Sequence, residues 1–160
     1  MTKSIFIYFS YSGDNEKFAK VLESTLNCDI LRLVPEKEYT NSSIKILFQG
    51  GNESLRKKTP SLKKYDFNPQ DYDLIILGGP VWAWTFAPVL RSFLTSVNLD
   101  NKNLVLTCSH RGSPGKTIEH LQELLPESKI LLTKELHAPI EDNPEVHDFI
   151  MQLQEVLKKL

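Results

Sequence analysis

Four short apolar runs punctuate the chain, at Ile5–Phe9, Leu74–Leu77, Leu104–Leu106 and Ile130–Leu132. None alternates polar with apolar residues, the pattern of strands buried on both faces in a parallel sheet covered by helices. A fifth run, Ile30-Leu31-Arg32-Leu33-Val34, carries an arginine and suits an edge strand. Between the runs the apolar spacing lengthens to that of a helix. Phe18, Val21, Leu22 and Leu26 form one stripe, Phe86, Val89, Leu90, Phe93 and Leu94 a second, and Ile118, Leu121, Leu124 and Leu125 a third. The last stripe, Val146, Phe149, Ile150, Leu153, Val156, Leu157 and Leu160, is the clearest, with Asn143 placed as its cap and Pro144 at its first position. Strand and helix alternate five times, which predicts an open α/β sheet with right-handed crossovers. The pattern is weakest between Lys37 and Tyr72. There Ile44, Leu47, Phe48 and Leu55 suggest a helix, Gly50-Gly51 weakens its middle, and Thr59-Pro60 ends it. No repeat, low-complexity tract or linker divides residues 1–160, so a single domain is expected.

Composition narrows the function classes. With 160 residues, 41% apolar and 24% charged, the chain can bury a full core. A formal net charge of -1 provides no global field for nucleic acid or an acidic membrane. The local basic groups Arg56-Lys57-Lys58 and Lys63-Lys64 read as a solvated helix end and loop. Cys28 and Cys108 form no CxxC pair, which argues against structural zinc or a disulfide framework and for a reducing compartment. No apolar run approaches membrane-spanning length, and Met1-Thr2-Lys3 opens no signal-peptide pattern. A cytoplasmic location is expected.

In open α/β sheets, ligands bind beyond the carboxyl ends of the strands, where strand order reverses. The loops there read Ser10-Tyr11-Ser12-Gly13-Asp14-Asn15, Gly78-Gly79-Pro80-Val81-Trp82-Ala83-Trp84-Thr85, and Thr107-Cys108-Ser109-His110-Arg111-Gly112-Ser113-Pro114-Gly115. The first leads from a strand into a helix N-terminus, whose free amides and dipole favour an anion; its serines add donors and Gly13 permits close approach. The second carries both tryptophans of the chain. The third is rich in small residues, with one imidazole and one guanidinium. A phosphate grip, an aromatic wall and a polar loop together suit a planar aromatic cofactor with a phosphate tail. Gly112 to Thr117 imitates the end of a nucleotide P-loop, but His110 occupies the position of the required first glycine. A receiver domain needs acidic residues where this chain has Ser10 and Gly78.

On these residues the sequence resembles the flavodoxin family. Ser10-Tyr11-Ser12-Gly13-Asp14-Asn15 looks like the family's Ser/Thr-x-Ser/Thr-Gly-x-Thr phosphate loop. Tyr72 to Trp82, continuing to Ala87-Pro88 and Phe93-Leu94, is similar to its second flavin loop and following helix. Cys108 to Gly115 agrees with the third loop in position and small-residue content. The resemblance implies a three-layer α/β/α sandwich with a five-stranded parallel sheet in the order 2-1-3-4-5, in the short-chain form. It also implies FMN as cofactor and redox partner proteins or a small-molecule electron acceptor, with no nucleic acid, membrane, metal or catalytic side chain. Two departures lie in the first loop: Asn15 replaces the usual Thr, and Asp14 is expected to point away from a phosphate. The near-neutral charge also differs from the strongly acidic low-potential members.

Within that resemblance, Ser10 and Ser12 donate hydroxyls to the phosphate beside the amides of Ser12 through Asn15, each charge-assisted bond contributing about 1.5–3 kcal/mol. Tyr11 belongs to the same loop. One indole stacks on the isoalloxazine and the other packs in the core, with Trp82 favoured for the flavin because it follows the strand end. Gly79, Pro80, Val81 and Ala83 supply backbone contacts along the ring edge. Ser109, His110, Arg111, Gly112 and Gly115 complete the cofactor set. A free Arg111 charge about 4 Å from the ring would contribute roughly 4 kcal/mol, or about 170 mV for one electron. Cys108 reads as a small buried hydrophobe. The leading expectation is an electron carrier moving one electron at a time. The alternatives are an FMN-dependent NAD(P)H:quinone-type oxidoreductase and a flavin-free interaction module.

Overall fold

The computed structural model describes residues 2–39, 43–138 and 140–160. Strands β1 (Ser4–Tyr8), β2 (Asp29–Arg32) and β3 (Leu74–Gly78) precede a short antiparallel hairpin, β4 (Val81–Trp82) and β5 (Thr85–Phe86). Strands β6 (Asn103–His110) and β7 (Lys129–His137) follow. Five strands form one parallel sheet in the order β2-β1-β3-β6-β7, the expected 2-1-3-4-5 order once the hairpin is set apart. Ile5 lies beside Ile75, and Ile75 beside Leu104, so the three central strands align their apolar residues in cross-strand rows.

Successive side chains of a strand face opposite sides, so each central strand feeds two cores. Ile5, Ile7, Ile75, Leu77, Leu104 and Leu106 pack under α3 (Pro88–Ser96) and α4 (Thr117–Glu123). Phe6, Leu74, Ile76 and Val105 pack under α1 (Asp14–Leu26) and α5 (Pro144–Lys158). Fully burying each such side chain contributes about 1.5–3 kcal/mol, which explains why these runs tolerate no polar alternation. The Asn143 side chain accepts a hydrogen bond from the Glu145 amide and Pro144 opens α5, as the capping signal predicts.

Three elements differ from the sequence pattern. Ile130–Leu132, expected to be buried on both faces, belongs to an edge strand in which Leu131 is 41% exposed. Phe86 ends β5 instead of opening the helical stripe, because Pro88 lacks an amide and is suited to the first helical position. The helix expected across Gly50-Gly51 forms as α2 (Ser43–Leu55); the glycines do not break it, and it ends at Leu55, ahead of the expected stop at Thr59-Pro60. Of the stripe that predicted it, Ile44, Leu47 and Phe48 lie outside the described side chains, and Leu55 is exposed. At Gly50 a Cβ would lie 2.6 Å from the Trp82 ring, so the glycine is where α2 closes onto the hairpin.

Candidate functional site

Strand β1 delivers Ser10–Asp14 to the carboxyl edge of the sheet, and Phe9 donates its amide to the Gly78 carbonyl of β3. Gly13 stands at the N-cap of α1 with φ 94°, a left-handed conformation open to glycine at little cost. No side chain caps the helix, and no described residue accepts from the Gly13, Asp14 or Asn15 amides. The Ser10 hydroxyl accepts from the Glu16 amide at 3.3 Å.

Asp14 departs from expectation. Its side chain is 9% exposed, accepting a 2.7 Å bond from the Ser12 hydroxyl and pairing with Arg111 Nη2 at 2.7 Å. The carboxylate is therefore folded into the loop, its charge opposed by a guanidinium from the β6–α4 loop. Arg111 is accordingly not the free cation on which the 170 mV argument depends. Asn15 is also engaged: its amide Nδ2 donates to the Ser109 hydroxyl at 2.8 Å, both residues being buried. Those two side chains brace α1 against β6, leaving the Asn15 backbone amide as its contribution to an anion. The donor set still fits a phosphate, since unpartnered helix amides and two serine hydroxyls surround a carboxylate already paired with arginine.

The hairpin decides where the indoles go. Ala83 and Trp84 occupy both central positions of its two-residue turn with φ 50° and 60°, the signature of a type I′ turn. Asn and Gly normally hold these positions; Ala and Trp there carry strain, which concentrates at functional sites. The turn is clamped by the Lys116 amide donating to the Trp84 carbonyl at 3.0 Å. At Gly115, φ 61°, any Cβ would overlap that same carbonyl. Trp82, expected against the flavin, instead packs edge-on to Phe9, Tyr11 and Tyr39, with centroids 5.5, 5.9 and 4.9 Å away. Tyr39 donates in turn to Glu53 of α2 at 3.0 Å; burial, then Glu53, pushes its phenol pKa up. Trp84 is 68% exposed and forms a cavity wall.

That cavity, about 600 Å³, lies between the hairpin tip, the loop after β6 and one end of α2. Val81, Ala83, Trp84, His110, Arg111 and Gly112 line it, all of them in the expected set. Asn52 and Leu55 of α2 also line it and were not anticipated; the paired glycines beside them were the available signal. Thr107–His110, read as loop, are strand residues of β6, so the third loop begins at Arg111. Ser109 donates its amide to the Gly79 carbonyl, and Pro80 bridges to Ser109, which makes Gly79, Pro80 and Ser109 part of the frame. Gly115 likewise supports the turn. His110 packs edge-on against His137 at 5.2 Å. Cys108 is buried, and burial pushes its thiol up to about 12, so it offers no thiolate.

A five-stranded parallel sheet in this order, flanked by helices, defines a flavodoxin-like fold. The sequence matches the flavodoxin family over residues 3–151, and the chain belongs to that family. No curated protein matches it. Among solved structures, it is similar to a protein from Bacteroides eggerthii described as a flavoprotein, with 21% identity, 99% of each chain covered and a TM-score of 0.82. A Lactobacillus acidophilus flavoprotein solved in complex with FMN is 19% identical, over 84% of this chain and 93% of its own, with a TM-score of 0.74. The two-electron reduced flavodoxin of Megasphaera elsdenii is 16% identical over 98% and 99%, with a TM-score of 0.62. These likenesses establish the shared fold.

Proposed function

We propose that this flavodoxin-family protein binds FMN and carries electrons one at a time between redox partners. The phosphate would sit at the start of α1, held by the Gly13–Asn15 amides and the Ser10 and Ser12 hydroxyls, with Ser12 exchanging its bond to Asp14 for one to the phosphate. The ring would enter the cavity beside Trp84, with Val81, Ala83, His110 and Gly112 around it. Bound there, the flavin supplies the one-electron chemistry; the protein orients it, limits water at one face and sets local charge. The observation that carries the reading is Arg111, which lines the ring cavity and reaches 2.7 Å to Asp14 in the phosphate loop, joining the two subsites.

Titration of the purified protein with FMN and riboflavin tests this. FMN should bind more tightly, and Ser12→Asp should abolish FMN binding while affecting riboflavin less. Equal loss of both would remove the phosphate assignment, and no flavin binding would leave the interaction-module reading. A redox titration showing two separate one-electron steps supports the carrier.

A second reading, an FMN-dependent reductase of quinone-type acceptors, is favoured by a second cavity sharing Leu55, Ala83 and Trp84 with the first. Turnover of a nicotinamide with a quinone would select it. Among the described residues no helix is long and apolar enough to cross a membrane. The two free cysteines fit a reducing compartment, so we assign the cytoplasm as the site of action.

A further inference from the structure

On the far side of Trp84 lies a second cavity of about 500 Å³, walled by Leu55, Trp84 and Leu124 and ringed by Lys57, Arg91, Lys116 and His120, with Glu123 as the one carboxylate in its lining. Two of these cations have side chains that take no part in the phosphate loop or the first cavity. Lys57 belongs to the basic run after α2, and Lys116 to the Gly-Lys-Thr stretch that imitates a P-loop. Arg91 is the most telling. It projects from α3, half-buried, with its guanidinium 4.7 Å from the centre of the Phe86 ring. Among the described residues no carboxylate lies within ion-pair distance of it, and burial lowers its pKa. Glu123, in the same lining, opposes that shift from beyond ion-pair distance, so this partly desolvated cation has no direct ionic partner and an anion arriving beside it would be stabilised. His120 is oriented by a 2.8 Å bond between Nδ1 and the buried Thr85 hydroxyl. That bond fixes the ring and leaves Nε2, which no described residue engages, as its free polar atom.

We propose that this cavity binds a small planar anion, an aromatic ring system bearing a carboxylate or sulfonate. Leu55, Leu124 and the Trp84 indole would take the rings, and Arg91, Lys116 and His120 the anionic group. The size fits a two-ring compound, since ligand cavities begin at about 300 Å³. The strained turn at Ala83-Trp84 acquires a reason: it holds the indole as a partition between two cavities instead of in either core. The site stands on this geometry and does not depend on flavin binding.

The test uses naphthalene-2-sulfonate and its neutral counterpart 2-naphthol as probes, measured by calorimetry on the protein with and without FMN. Saturable one-to-one binding of the sulfonate is expected, at least tenfold tighter than 2-naphthol and undisturbed by FMN. Arg91→Gln should weaken the sulfonate at least tenfold, leaving 2-naphthol and FMN affinity unchanged. Lys116→Gln should act in the same direction, and a thermal melt of each variant checks that it is folded. Equal affinity for the two probes would overturn the proposal. So would folded variants that bind the sulfonate like the parent, or competition between FMN and the sulfonate, which would merge the cavity with the flavin site. If the sulfonate binds and FMN does not, the flavin reading fails and this one stands.

Discussion

The Ser10–Asn15 loop and the Val81–Phe86 hairpin sit at the same edge of the sheet and are built in opposite ways. The first draws its backbone chemistry from consecutive residues: a strand ends, Gly13 turns the chain, and a helix starts with free amides. The hairpin has its shape imposed from outside. Gly50 of α2 admits the Trp82 ring, the Lys116 amide holds the Trp84 carbonyl, and Gly115 leaves room beneath it. Trp82 and Trp84 are two residues apart, yet one is anchored among aromatic rings and the other stands 68% exposed. A locally built site is robust to changes elsewhere, whereas an imposed one depends on distant partners.

Substitutions should separate the two. The largest effect is expected from Trp82→Ala, which empties the space between Phe9, Tyr39 and Gly50 and should cost about 3–5 kcal/mol in a urea melt. Trp84→Ala should leave stability nearly unchanged, so equal losses would erase the contrast between the indoles. Next come the charges of the first loop. Arg111→Gln leaves the Asp14 carboxylate uncompensated and should weaken FMN about tenfold, or about 1.4 kcal/mol, relative to riboflavin. Asp14→Asn should tighten FMN relative to riboflavin. If both flavins shift together, the pair does not act on the phosphate.

A smaller and opposite-signed effect is expected at the turn. Trp84→Gly suits φ 60° and should raise stability by about 0.5–1 kcal/mol while weakening FMN and riboflavin alike. A loss of stability would show that the turn is not strained. Least in size are the thiols, which lie outside both regions. Burial pushes Cys28 up to about 11 and Cys108 up to about 12 from an ordinary 9.0. The fold prefers the protonated thiols, so their contribution is complete below pH 9 and declines as pH rises toward 11–12. Neither thiol should react with a disulfide reagent at pH 8 until urea unfolds the protein.

The contrast also explains what could be read in advance. The cores of β1 and β3 and the capped start of α5 were legible because burial on both faces and side-chain capping leave a mark on the residues themselves. The free amides at the start of α1 were legible because a strand, a glycine and a helix start follow one another in the sequence. Phe86 was misassigned because its place in the helical stripe matched the period, while Pro88, two residues on, set the helix start. Asp14 was expected to point away because its charge repels a phosphate; the guanidinium that holds it inward belongs to Arg111, 97 positions distant. Gly50-Gly51 read as a flaw in a helix because the ring that needs the space belongs to another segment.

By itself, then, the sequence determined the alternating α/β layering, the strand order implied by its resemblance to a known family, and the glycine turn into a helix whose first amides are free. These follow from burial, capping and helix-end amides, which act between near neighbours. Only the tertiary structure decided that Trp84 and not Trp82 faces the cavity, that Asp14 is paired inward, and that Lys57, Arg91 and Lys116 meet around one space. Those outcomes depend on contacts between segments brought together when the sheet closes, and no local pattern records them.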